Sequence, residues 1–126
     1  MKRTILRALL GLLVLACTKL SSAQTYYVDV AQPVNGNGSL ASPWNDLRYA
    51  IWATPQAQDS DVTVYFRQGT YYFNYSVDSF LYIGSGKSAL NGHHFNLMAY
   101  PGERVVFDGS RLTTAWGAMV VVDSEP

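Results

Sequence analysis

The residues able to do chemistry in this 126-residue chain are few and scattered. Gly84-Ser85-Gly86-Lys87-Ser88 has the tail of a phosphate-binding P-loop, but that pattern needs a Gly five positions before Gly86, where Leu81 stands. Asn91-Gly92 then breaks the chain before a phosphate-cradling helix could form, so the segment reads as a turn and no nucleotide is expected. His93 and His94 are adjacent, so in an extended segment their rings point to opposite faces and cannot share a metal ion. Asp59 and Asp61 have the spacing to face one way and offer oxygen to Ca²⁺, although polar residues ahead of a strand explain them as well. Glu103, Asp108 and Asp123 are the remaining carboxylates of interest, and glycoside hydrolysis needs two of them within roughly 5–9.5 Å across a sugar. Glu103 follows Pro101-Gly102 and Asp108 precedes Gly109, positions where local hydrogen bonding accounts for an acid. No residue is therefore assigned as catalytic, cofactor-binding or metal-binding.

The elements around these residues are mostly short strands. Tyr26 to Val30 is one, followed by the loop Gln32 to Ser39 with its Asn-Gly pairs. A single helix is expected from Ser42 as N-cap and Pro43 at the first position, with Trp44, Leu47, Ala50 and Ile51 on one face, ending at Thr54-Pro55. Val62-Thr63-Val64-Tyr65-Phe66 alternates with Val62, Val64 and Phe66 inward, and further strands are expected at Thr70 to Phe73, Phe80 to Ile83, His94 to Tyr100, Val105 to Phe107 and Ala118 to Val122. Val64, Leu97 and Val120 recur at intervals of roughly 33 and 23 residues, which predicts stacked coils with the helix covering their open end.

Residues 1–23 read as a secretory signal: basic Lys2, Arg3 and Arg7, an apolar run from Leu9 to Ala16, and a small-residue exit at Ser21-Ser22-Ala23. The run is well short of the ~20 residues that span a bilayer, so cleavage after Ala23 and a mature start at Gln24 are expected. Val14-Leu15-Ala16-Cys17 also loosely matches a lipobox, in which case Cys17 would be lipidated and the protein held at a membrane. With the leader removed, five basic residues face nine acidic ones, a balance of about −4 that excludes the basic field of a nucleic-acid binder. All nine Tyr, five Phe and three Trp remain in the mature chain, where broad strand faces accept them and exposed rings can stack on sugars.

The order of elements resembles the N-terminal module of secreted right-handed parallel β-helix proteins of the pectin lyase-like superfamily. The residues carrying it are Tyr26-Tyr27-Val28, Asn35 to Ser39, Ser42-Pro43-Trp44 with Leu47 and Ala50, Val62 to Phe66, Gly69-Thr70-Tyr71, and Tyr100 to Gly109. Gln58 to Asp61 stands where a Pro-Gly-Asp turn is usual, and Asn74 to Asn91 is a longer insertion. The resemblance implies a mainly β solenoid, residues 24–126 forming its cap and first coils, and a parent acting on acidic or plant/algal polysaccharide by β-elimination. It transfers no catalytic residue, because the family's acidic metal ligands and basic residue, and any Ca²⁺ they hold, belong to later coils expected beyond Pro126. A non-catalytic carbohydrate-binding or adhesion protein is the alternative, and a remnant reading frame a third.

Overall fold

The computed structural model describes residues 22–73, 79–84, 89–111 and 118–122. Most of the signal segment, with Cys17, lies outside them, as do Ser85 to Ser88 and Asp123. Among the described residues no helix is long and apolar enough to cross a membrane.

In chain order the elements are β1 (Gln24–Val28), α1 (Leu47–Ala53), β2 (Val62–Phe66), β3 (Gly69–Tyr72), β4 (Ser79–Ile83), β5 (Phe95–Ala99), β6 (Val105–Asp108) and β7 (Ala118–Val122). Among the described residues every strand pairing is parallel: β1-β2-β5 form one sheet, β3-β6 a second and β4-β7 a third. The strands on either side of Pro101-Gly102, β5 and β6, therefore belong to different sheets.

The right-handed parallel β-helix is not what the structure shows. Among the described residues there are three short separate sheets and one helix, with neither a solenoid nor a closed sheet shown. Val64 does pair with Leu97, but Val120 pairs with Leu81 in the third sheet, so the three apolar positions expected to form one column do not.

The core follows from strand alternation. Val62, Val64 and Phe66 are buried, and Val28, Trp44, Ala50, Val64, Phe66 and Tyr71 pack as one cluster, flanked by Leu97, Val105 and Phe107. Tyr71, also buried, places its hydroxyl 2.9 Å from the carbonyl oxygens of both Val28 and Arg67, and burial raises its phenol pKa.

The helix begins later than expected, at Leu47, with Asp46 as N-cap accepting from the Tyr49 amide at 2.6 Å. Ser42 and Pro43 are unavailable to a helix because their carbonyls already accept from the Asn-Gly loop: Asn37 and Gly38 amides donate to Ser42, and the Gly36 amide to Pro43. Trp44 instead bridges to Val28, and the amide of Tyr27 bonds to Gly38, so this strap covers the outer edge of β1. At the other end Thr54 closes the helix, its hydroxyl donating to the Ala50 carbonyl.

Candidate functional site

The second sheet carries the best-built polar surface. Period-two geometry turns Tyr71, Val105 and Phe107 toward the core and leaves Thr70 and Tyr72 of β3, with Val106 and Asp108 of β6, on the opposite face. The register sets Thr70 beside Val106 and Tyr72 beside Asp108. Arg104 sits one residue before β6, its carbonyl bonded to the Gly69 amide and its side chain exposed, in no ion pair among the described residues. Together Gly69, Thr70, Tyr72, Arg104, Val106 and Asp108 line an open cleft of about 370 Å³.

A second cation reaches the same place from the following turn. Asp108 accepts the Ser110 amide at 2.8 Å, and Arg111 lays its guanidinium over the Tyr72 ring, 3.6 Å from the centroid. Hydrogen bonds from Ser110, aided by the charge of Arg111, hold the Asp108 carboxyl below its usual range. The ensemble is thus two arginines, one ionised carboxylate already engaged, a threonine hydroxyl and an aromatic ring. It can bind and orient an anionic ring, because planar guanidinium groups match carboxylate geometry.

The sequence-level candidates lie elsewhere. Glu103 is committed to Arg67, with guanidinium nitrogens at 2.7–3.0 Å from its oxygens, and also accepts the Gln68 amide at 2.8 Å. Arg67 in turn lies 4.8 Å from the Tyr100 ring, which leans on Tyr27 and Tyr65 across the outer face of the first sheet. The pair is a clamp between the turns after β2 and β5. His93 and His94 do not diverge: their Nδ1 atoms lie 3.4 and 3.7 Å from the same Asp61 oxygen. Strand alternation does not govern them, because β5 starts only at Phe95 and the preceding Asn91-Gly92 takes left-handed backbone angles. The His94 backbone amide also binds Asp61 at 2.9 Å and, as the largest cause, lowers its pKa. Among the described residues no group of three His, Cys, Asp or Glu is arranged to hold a metal ion.

The clamp sets an acid limit on stability. Hydrogen bonds from Arg67, then from Gln68, lower the Glu103 pKa below its ordinary 4.5. A depressed folded-state pKa gives stability that is complete above the unfolded value and is lost as pH falls through the folded one. Urea unfolding of the wild type should therefore weaken progressively below pH 4.5, while Glu103→Gln should start lower and lose less over that window. Parallel curves down to about pH 2 would show that the pair adds nothing.

Arg104, Arg111 and Tyr72 are not conspicuous in the sequence. The available signal was the second half of the alternation, since Thr70, Tyr72, Val106 and Asp108 are the outward partners of the inward set. No protein family, curated protein or solved structure matches the chain.

Proposed function

We propose that this is an exported protein, with its leader removed after Ala23, that acts on acidic polysaccharide, and that the contribution of the described residues is binding. The observation carrying this reading is the pair of arginines on the outer face of the second sheet: Arg104 beside the cleft and Arg111 stacked on Tyr72. A uronate ring brings a carboxylate for the guanidinium groups and hydroxyls for Thr70. Binding is favoured over bond cleavage because Asp108, the carboxylate among the described lining residues, already accepts from Ser110, and Glu103, next in the chain to Arg104, is held by Arg67.

The test is calorimetric titration of the full exported chain with oligogalacturonate and with neutral galactan fragments of the same length. The charged ligand is expected to bind and the neutral one to bind at least tenfold more weakly at this face. Arg104→Ala and Arg111→Ala should each lower affinity about 10-fold or more, given the strength of a charge-assisted hydrogen bond. Raised salt should weaken the wild type more than either variant. Unchanged affinity for oligogalacturonate in both arginine variants would overturn the proposal.

A further inference from the structure

The helix carries an aromatic surface that the core does not use. Ala50 and Ile51 face inward and are buried, with Leu47 packed against the cluster, so by helical geometry Arg48, Tyr49 and Trp52 take the other side. Trp52 is 73% exposed and Tyr49 42% exposed. A single exposed aromatic is ordinary, but these two stand side by side, ring centroids 5.9 Å apart. Tyr49 is braced from below by an edge contact with Trp44, a member of the core, at 6.4 Å. The platform is therefore tied to the rigid part of the fold.

An open cleft of about 510 Å³ lies against this platform, lined by Asn35, Asp46, Arg48, Tyr49 and Trp52. Its polar members are placed by the backbone on two sides. Asn35, from the Asn-Gly loop, accepts the Asn45 amide through Oδ1 at 2.9 Å, which fixes the side-chain plane and leaves its Nδ2 as a donor. Asp46 is held by its bond to the Tyr49 amide.

We propose that this cleft is a second carbohydrate site, built for an uncharged pyranose. Charge complementarity selects the ligand class: among the described lining residues one carboxylate and one guanidinium cancel, in contrast to the two arginines near Tyr72. The apolar rings suit the C–H face of a sugar, while an amide, a carboxylate and a guanidinium at the rim supply the mixed donors and acceptors that ring hydroxyls require. A wholly apolar partner would leave three polar side chains desolvated at the rim. The site shares no residue with the acidic-ligand face and stands or falls independently of it.

The experiment is titration of the full chain with neutral hexaoses, namely cellohexaose, xylohexaose and mannohexaose, followed by calorimetry and by tryptophan emission. At least one hexaose is expected to bind with a blue shift in emission, as the exposed indole of Trp52 is covered. Trp52→Ala should abolish that shift and lower affinity about tenfold, Trp52→Phe should retain part of the affinity, and Tyr49→Ala should weaken it severalfold. Arg104→Ala should leave neutral-hexaose binding unchanged, which separates this site from the acidic one. Thermal melts separate lost contact from lost fold: a Trp52 variant that melts like the wild type yet binds more weakly has lost the ligand contact. Absence of binding by all three hexaoses, or binding unaltered in Trp52→Ala, would overturn the proposal.

Discussion

Phe66→Ala is expected to destabilise the protein by about 3–5 kcal/mol, the range for removing a buried aromatic ring from a core that cannot fully collapse. Phe66 is 1% exposed and is met edge-on by Tyr71 at 5.5 Å and by Phe107 at 5.2 Å. Those rings come from β3 and β6, whereas Phe66 ends β2, so this one side chain joins the first sheet to the second. Truncation would leave a void between sheets that share no backbone hydrogen bonds within their ladders. The candidate acidic-ligand cleft should suffer as well, because Tyr71 and Phe107 orient the strands that carry Tyr72 and Asp108. Equilibrium urea unfolding measures the loss; Thr63→Ala, at an outward and half-buried position of the same strand, should cost less than about 1 kcal/mol. A Phe66→Ala loss no larger than that of Thr63→Ala would mean that the two sheets are held by something else.

Gly36→Ala is expected to cost about 3 kcal/mol, at the top of the range for overpacking, although the residue lies in a loop. A Cβ there would fall within contact distance of the carbonyl oxygens of Ser42 and Pro43. Both are backbone atoms, and the Gly36 amide already donates to the Pro43 oxygen at 3.0 Å, so the two segments cannot separate without losing that bond. Two residues on, Gly38 takes φ +83° and its own Cβ would lie 2.6 Å from the Trp44 ring. The glycines thus let the loop press Ser42-Pro43-Trp44 against β1, with Trp44 stacked on Tyr26 at 5.2 Å. Near-ultraviolet circular dichroism should lose the Trp44 signal in Gly36→Ala as urea stability falls. Asn37→Ala, which removes only an exposed bond to the Ser39 amide, should change neither by much. Retained dichroism with unchanged stability would show that the strap does not hold Trp44.

The sequence by itself determined what depends on near neighbours along the chain. Burial of Val62, Val64 and Phe66 follows from period two, since adjacent strand side chains must point to opposite faces. The local capture of Asp108 by a backbone amide two residues on is similarly a property of an acidic residue ahead of Gly109-Ser110. Tertiary structure decided everything that depends on partners across space. The helix start moved from Ser42 to Asp46 because the carbonyls of Ser42 and Pro43 were claimed by the Asn-Gly loop, a competition that capping preference alone does not contain. Glu103 found Arg67, 36 positions earlier, and His93 and His94 converged on Asp61 through a turn rather than diverging along a strand. The expectation of a solenoid failed for the same reason. An apolar alternating strand fits any parallel neighbour of matching pattern, so spacing left the partner of Val120 open, and in the folded chain that partner is Leu81 rather than Leu97. The cleft at Tyr72 is likewise a product of tertiary pairing, because the β3-β6 register sets Thr70 and Tyr72 beside Val106 and Asp108, whereas the cleft at Trp52 is built mostly from one helix with Asn35 brought to it by the loop.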